Sequence, residues 1–313
     1  MPEIDRNTVR DAPKGNWVDR YAPAAARPYL RLSRADRPIG TWLLLLPCWW
    51  GIGLAMMAGE ARWFALWIAI ACAIGAAVMR GAGCTWNDIT DRDIDAKVAR
   101  TRSRPLPSGQ VSLGAAYMWM AAQAALGLAV LLTLGPAAIW LGVLSLAPVA
   151  IYPFAKRFTW WPQIFLGIAF NWGVMLAYAA HAGGLGPAPV IAWFGGIAWT
   201  VFYDTIYAHQ DAEDDALIGV KSTARLFGAH SPRILAGFGA LAVLLLTLAV
   251  LATGARGAAL WIALVGVAGF AAHLAWQLAR LDPADDAVCL RLFRSNRDAG
   301  LILALLLAAA GLV

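Results

Sequence analysis

The hydrophobic pattern of the chain consists of long apolar stretches separated by short polar connections. A stretch of about 20 apolar residues is long enough to cross a bilayer as an α-helix. The pattern predicts an all-α, polytopic membrane protein, a bundle of about nine transmembrane helices embedded in a lipid bilayer. We place the predicted spans at 39–58, 63–86, 111–134, 136–153, 162–182, 188–208, 232–253, 258–279 and 295–313.

The composition supports this prediction and argues against several other classes. Of the 313 residues, 60% are apolar and 14% are charged, which is too little polar surface for a soluble domain of this size. The net charge of +6 reflects membrane topology and is no evidence for a nucleic-acid partner. We expect residues 1–33 to form a polar cytoplasmic tail without a signal peptide. Residues 34–313 then form the transmembrane domain.

The distribution of basic residues predicts the orientation. Lysine and arginine are concentrated in the tail and in the connections 87–110, 154–161 and 209–233, whereas the opposite connections carry few. The positive-inside rule therefore places these long connections in the cytoplasm.

Two acidic sets stand at the ends of predicted spans. The first comprises Asn87, Asp88, Asp91 and Asp95, and the second comprises Asp204, Asp211, Asp214 and Asp215. On a helix, the first set falls within roughly a 100° arc, with Asp93 pointing elsewhere; Asp204, Asp211 and Asp215 fall within roughly 40°, with Tyr207 nearby. Carboxylates at a membrane edge are costly and suggest function, and Mg²⁺ prefers oxygen ligands. We therefore predict a metal site for a phosphorylated ligand; ordinary solvated acids at helix ends are the alternative.

Basic loops follow both acidic sets. The first carries Lys97, Arg100, Arg102 and Arg104, and the second carries Lys221 and Arg225. The guanidinium of an arginine can donate two parallel hydrogen bonds to phosphate oxygens, and the ammonium group of a lysine attracts them as a mobile point charge. Both side chains are therefore suited to binding a diphosphate. The alternatives are topological charge alone and, for the second loop, a helix start capped by Ser222 or Thr223.

Two further basic pairs leave their role open. Arg34 and Arg37 precede the first span, and Lys156 and Arg157 follow the fourth. They are either topological charges or contacts to a small substrate, for example through its carboxylate.

The succession of span, acidic set and basic loop occurs twice, which indicates two halves that offer metal ligands to one central cavity.

These motifs resemble the UbiA-type membrane prenyltransferases, and are closest to the 4-hydroxybenzoate polyprenyltransferase branch. The similarity runs from about residue 34 to the end. The motifs that carry it are Asn87-Asp88-x-x-Asp91-x-x-x-Asp95, Asp211-Ala-Glu-Asp-Asp215, Gly219-x-Lys221-Ser222-Thr223, Arg37-Pro38-Ile39-Gly40-Thr41 and Arg102-Ser-Arg104-Pro105-Leu106.

The resemblance implies a helical bundle around a central cavity, a polyprenyl diphosphate donor, Mg²⁺ and a 4-hydroxybenzoate acceptor. It places the protein in ubiquinone biosynthesis, in a bacterial or mitochondrial inner membrane. The metal ligands it implies are Asn87, Asp91, Asp95, Asp211 and Asp215, with Asp88 in support and Asp204 in proton removal. The substrate-binding residues it implies are Arg34, Arg37, Lys97, Arg102, Arg104, Lys156, Arg157, Tyr207, Lys221 and Ser222.

Other functions remain open from the sequence. Within the same chemistry the acceptor could be a naphthoate, homogentisate or haem. A secondary transporter of an anionic substrate would place ionisable groups near the bilayer midplane, whereas both acidic sets stand at span ends. A phospholipid head-group transferase would carry a D-G-x-x-A-R motif, which the sequence lacks.

Overall fold

The structure, a computed structural model, describes residues 13, 15–59, 62–96, 101–212, 216 and 219–313. Lys97, Asp214 and Asp215 lie outside these residues. Every regular element in the described ranges is helical, which confirms the predicted all-α class. The α-helices, in chain order, are α1 (Trp17–Tyr21), α2 (Arg27–Leu32), α3 (Ile39–Ala58), α4 (Phe64–Asp95), α5 (Leu113–Leu131), α6 (Pro136–Leu144), α7 (Leu146–Phe158), α8 (Pro162–Asn171), α9 (Gly173–Ala182), α10 (Pro187–Ala208), α11 (Thr223–Phe227), α12 (Ser231–Leu251), α13 (Gly257–Leu278) and α14 (Asp286–Ala310). Short 3-10 turns follow α10 and α11 at His209–Asp211 and Gly228–His230.

Seven helical segments in the described residues are long and apolar enough to cross a membrane. They are Ile39–Ala58, Phe64–Asp95, Leu113–Leu131, Pro136–Phe158, Pro162–Ala182, Thr223–Leu251 and Gly257–Leu278. This confirms an integral membrane protein. Helices α10 and α14 lie at the predicted sixth and ninth spans but are not among the seven, so the count of nine stays a prediction.

The helix α4 is longer than a membrane span requires. Its 32 residues extend over about 48 Å, whereas the hydrocarbon core of a bilayer is about 30 Å thick. The sequence predicts that the span ends at residue 86, but the helix continues without a break to Asp95. The first acidic set therefore lies on a rigid helical extension beyond the apolar segment.

The fourth predicted span is interrupted at Ser145, between α6 and α7. Pro148 follows three residues later and has no backbone N–H to donate to the carbonyl of Leu144. The Ser145 hydroxyl instead donates to the carbonyl of Gly142 at 2.6 Å. This missing backbone bond accounts for the break within an otherwise apolar segment.

The chain forms two compact units, and the first comprises residues 1–42 and 74–130. Its core contains Leu32 of α2, Leu106 and Val111 of the loop after α4, and Ala116 of α5. Helix α2 and this loop are thus packed parts of the unit. Helices α4 and α5 approach closely at Gly81, where a methyl group would lie 1.8 Å from Gln123 Oε1 and displace that side chain. The predicted domain boundary at residue 34 stays a prediction.

The second unit comprises residues 43–73 and 131–313. Its centre is an aromatic cluster in which the tilted rings of Trp50 and Trp199 have their centroids 5.0 Å apart and Phe270 packs against both. A buried polar pair lies beside it: Asn296 Nδ2 donates to Gln277 Oε1 at 2.9 Å, and Trp199 Nε1 donates to Asn296 Oδ1 at 2.9 Å. These hydrogen bonds join α10, α13 and α14 through groups that lipid could not satisfy.

Candidate active site

The first acidic set occupies the last turns of α4. Asp88, Asp91 and Asp95 are buried, with exposures of 0%, 1% and 6%, and Asn87 is half-buried. Asp93 has 86% of its side chain exposed, which confirms that it points away from the others. A burial of this depth is unusual for carboxylates without a partner or a ligand. The solvated-acid alternative therefore does not describe the first set.

Two of these carboxylates are bound by arginines. Asp88 accepts hydrogen bonds on both oxygens from Arg34, at 2.9 Å and 2.5 Å. Asp95 Oδ2 accepts from Arg104 Nη1 at 2.8 Å, and the same nitrogen lies 3.6 Å from Asp88 Oδ1. Arg34 and Arg104, both predicted to bind substrates, are thus committed at least in part to carboxylates of α4.

The remaining predicted cations of the first unit are arranged differently. Arg37 Nη2 donates to the neighbouring buried Asp36 at 3.1 Å. Arg102 is half-buried in the loop after α4. In the same loop the Thr101 hydroxyl donates a hydrogen bond to the Asp95 carbonyl at 2.9 Å. This loop therefore holds Arg102 and Arg104 close to the end of the acidic helix.

A residue that the sequence reasoning missed is Arg80, within the apolar part of α4. It precedes Asn87 by seven positions and Asp91 by eleven, so the three side chains leave the helix within roughly 40° of one another. A methyl group at Gly40 would lie 2.6 Å from Arg80 Nε, so the glycine makes room for the guanidinium. An arginine inside an apolar span is the signal that could have identified it, since such a charge indicates function.

The second acidic set belongs to the second unit, at the end of α10. Asp204 and Tyr207 are half-buried, and the Tyr207 ring packs on Phe293 at 4.5 Å. Asp211 ends the 3-10 turn that follows α10. Burial lowers the pKa of the intervening His209. Asp215, the partner of Asp211 in the predicted motif, falls outside the described residues.

The second basic loop is hydrogen-bonded to the last turn of α7. The Lys221 backbone N–H donates to the Lys156 carbonyl at 3.2 Å, and Lys221 Nζ donates to the Phe158 carbonyl at 3.4 Å. The structure therefore brings together Lys156 and Lys221, two of the predicted substrate-binding lysines. The guanidinium of Arg157 lies over the Phe154 ring at 5.2 Å.

Ser222 confirms the capping interpretation of this loop. Its hydroxyl accepts from the Arg225 backbone N–H at 3.4 Å and caps α11. Thr223, the next residue, pairs its hydroxyl with that of Thr205 at 2.5 Å. A role of Ser222 in substrate binding stays a prediction.

The donor set on α4 fits the Mg²⁺ that the sequence predicts. Within the described ranges, no three His, Cys, Asp or Glu side chains are grouped closely enough to hold a metal by themselves. Magnesium does not require such a group, because one or two carboxylates, phosphate oxygens and waters commonly complete its shell. The buried Asp91 carboxylate and the Asn87 amide are oxygen donors of this kind.

Comparisons with known proteins agree with this arrangement. Residues 44–312 match the model of the UbiA prenyltransferase family. The chain is 46% identical to the 4-hydroxybenzoate polyprenyltransferase, mitochondrial, of Mus musculus over 90% of this chain and 74% of the relative. The Arabidopsis thaliana protein of that name is 42% identical over 93% and 70%.

Solved structures show the same fold. A UbiA homolog from Aeropyrum pernix K1 superposes with a TM-score of 0.68 at 27% identity, over 86% of this chain and 96% of the homolog. A UbiA homolog from Archaeoglobus fulgidus bound to GPP and Mg²⁺ gives a TM-score of 0.67 at 23% identity, over 91% and 98%.

Proposed function

The chain belongs to the UbiA prenyltransferase family, and we propose that it transfers a polyprenyl group from polyprenyl diphosphate to 4-hydroxybenzoate in ubiquinone biosynthesis. The new bond forms at the ring carbon ortho to the phenol. The observation that carries this proposal is the 42–46% identity to curated 4-hydroxybenzoate polyprenyltransferases along at least 90% of the chain.

The acidic residues serve to hold the donor's diphosphate. Asn87 and Asp91 of the first set, with Asp211 and Asp215 of the second, would hold Mg²⁺. The metal would neutralise the charge that develops on the leaving diphosphate. Arg102 and Lys221 bind further phosphate oxygens in this scheme, as does Lys97, and the lysines contribute mobile point charges.

The apolar helices shelter the allylic end of the donor. As its C–O bond breaks, the positive carbon must be kept from water until the electron-rich ring attacks. The ring then loses a proton to restore its aromaticity. Asp204, half-buried at the end of α10, is the group that we assign to this proton.

The acceptor's carboxylate needs a cationic partner in an apolar setting, because an unpaired buried charge is costly. Arg34 is bound to Asp88 through both oxygens, and Arg37 is hydrogen-bonded to Asp36. Arg80 lies on the same helix face as Asn87 and Asp91, further into the apolar segment by about 10 Å from Asn87 and about 16 Å from Asp91. We assign the acceptor's carboxylate to Arg80.

The basic connections and the length of α4 bear on the membrane and on the orientation of the chain within it. We propose a bacterial or mitochondrial inner membrane, with the acidic sets on the side of the basic connections, which is the cytoplasm in a bacterium. The extension of α4 beyond a membrane's thickness favours an enzyme over a transporter, because it places the first acidic set away from the bilayer midplane.

A direct assay tests the function. Purified protein in detergent is incubated with Mg²⁺, a radiolabelled prenyl diphosphate and a panel of aromatic acceptors. We expect labelled product with 4-hydroxybenzoate and none when Mg²⁺ is chelated by EDTA. Product with a naphthoate or homogentisate instead would reassign the acceptor, and no product with any acceptor would refute the proposal.

A further inference from the structure

Asp88 differs from its neighbours on α4 in how its carboxylate is bound. It is fully buried, and Arg34 donates to both of its oxygens. Seven residues on, Asp95 leaves the helix within about 20° of Asp88 and is bound by Arg104. Asp88 and Asp95 thus share a face that meets arginines, whereas Asn87 and Asp91 are turned away from it by several tens of degrees.

The backbone of Arg34 is held in an uncommon conformation. Its φ of 57° is the left-handed value that residues with a side chain rarely adopt, and it is the one such non-glycine residue in the described part of the chain. Three hydrogen bonds fix this turn: Arg34 Nη1 to the Arg31 carbonyl at 3.1 Å, the Ala35 N–H to the Leu30 carbonyl at 2.9 Å, and Trp17 Nε1 to the Ala35 carbonyl at 2.7 Å. A strained residue persists where its surroundings over-determine it, often at functional sites.

We propose that Arg34 is a positioning residue that acts through Asp88, and that Asp88 anchors α4 and is not a metal ligand. The two-pronged ion pair sets the rotation of α4, so that Asn87 and Asp91 present their oxygens to Mg²⁺ and the diphosphate. The proposal rests on the proposed function for the identity of that ligand. The guanidinium of Arg34 takes one lone-pair position on each oxygen of Asp88, neutralises the carboxylate and repels a second cation.

The test compares Arg34→Met, Asp88→Leu and the double variant with the wild type. Binding of an unreactive prenyl thiodiphosphate is followed by its thermal shift as Mg²⁺ is titrated, and KM and kcat are measured separately. Each variant breaks the same ion pair between Arg34 and Asp88. We therefore expect the same rise in the Mg²⁺ concentration at half-saturation in all three variants, about tenfold. The kcat at saturating Mg²⁺ is largely kept.

Two results would overturn the proposal. If Asp88→Leu abolishes the Mg²⁺ response while Arg34→Met preserves it, then Asp88 is a metal ligand. If the double variant regains both the wild-type melting temperature and the wild-type Mg²⁺ response, the pair only stabilises the fold. Should the three variants fail to fold, Arg34→Lys keeps the charge without the fork and should give a smaller rise; an unchanged half-saturation would again overturn the proposal.

A second ion pair provides the matched control. Arg31 and Asp19 form a 2.7 Å ion pair in the same N-terminal segment. Arg31→Met with Asp19→Leu should leave the Mg²⁺ half-saturation unchanged; a tenfold rise there would attribute the effect to general loosening and overturn the proposal. Failure of the proposed function is distinguishable, because it shows as absent transfer in the wild type.

Discussion

Replacement of Arg80 by glutamine should weaken binding of the acceptor much more than binding of the prenyl donor. The guanidinium lies in the apolar part of α4, on the face of Asn87 and Asp91. Along the helix axis Arg80 lies about 10 Å from Asn87 and about 16 Å from Asp91, which is long enough for an aromatic ring to lie between the diphosphate and the arginine in the proposed complex. The same substitution leaves the proposed diphosphate ligands in place.

The magnitude follows from the bond that is lost. A charge-assisted hydrogen bond contributes about 1.5–3 kcal/mol, which corresponds to roughly ten- to 150-fold in affinity. Partial burial of Arg80 and the low dielectric around α4 place the effect towards the upper end of this range. Arg80→Lys keeps the charge but loses the fork, and should lie between the wild type and the glutamine variant.

Steady-state rates at varied concentrations of each substrate measure this effect. A neutral acceptor, 4-hydroxybenzamide, completes the comparison, because it keeps the phenol and removes the carboxylate. We expect the KM for 4-hydroxybenzoate to rise in Arg80→Gln while that for the amide changes little. The exposed Arg256, on the opposite connection, provides the control substitution Arg256→Gln, which should change neither.

The assignment of the acceptor's carboxylate to Arg80 is refuted if Arg80→Gln affects both acceptors equally, or if it raises only the KM for the prenyl diphosphate. A selective loss of 4-hydroxybenzoate binding in Arg37→Ala would instead assign the carboxylate to Arg37. That outcome would show that the Asp36 contact is exchanged when the acceptor binds.

Three further expectations can be checked with the same preparation. Asp91→Asn should abolish transfer with the protein still folded, whereas Asp93→Asn, at a side chain 86% exposed, should keep wild-type turnover; equal losses would contradict the metal assignment. Asn296→Leu should cost about 1–3 kcal/mol of stability, read as a lower melting temperature, because it removes the acceptor of Trp199 Nε1 and the donor to Gln277 Oε1; an unchanged melting temperature would show that the network contributes little. Cysteines introduced at the exposed Ser112 and Ala229 should react with a membrane-impermeant maleimide from the cytoplasmic side, against four buried native cysteines, and reaction only from the opposite side would reverse the predicted orientation.

The sequence predicted the class of the fold and several helix bounds closely. The third predicted span, 111–134, contains Leu113–Leu131, and the eighth, 258–279, matches Gly257–Leu278 to within one residue at each end. These bounds could be predicted because a membrane helix is marked by the length of its apolar run, a property of neighbouring residues. The same signal gives no information on helix that continues beyond the membrane, which is why the extension of α4 from residue 87 to Asp95 was not predicted as one element with its span.

Arg80 was missed for a related reason. Averaging over an apolar run hides a single charge, although in a membrane that charge is the most costly residue of the run. Arg80 is of interest because of the direction in which its side chain leaves the helix, on the same face as Asn87 and Asp91. Apolar length and helical angle are separate properties of the same residues, and the length of an apolar run carries no information on which face of the helix a charge lies.

The interpretation of the acidic set required information that no local pattern contains. Helical spacing places Asn87, Asp88, Asp91 and Asp95 in one arc, which favours a single row of ligands. The structure divides that arc, because Arg34, which precedes Asp88 by 54 positions, occupies both oxygens of that carboxylate. A helix period groups side chains by direction, but a long-range contact decides which direction meets an arginine and which remains for a metal ion. We therefore exclude Asp88 from the proposed metal ligands, because Arg34 already neutralises its charge.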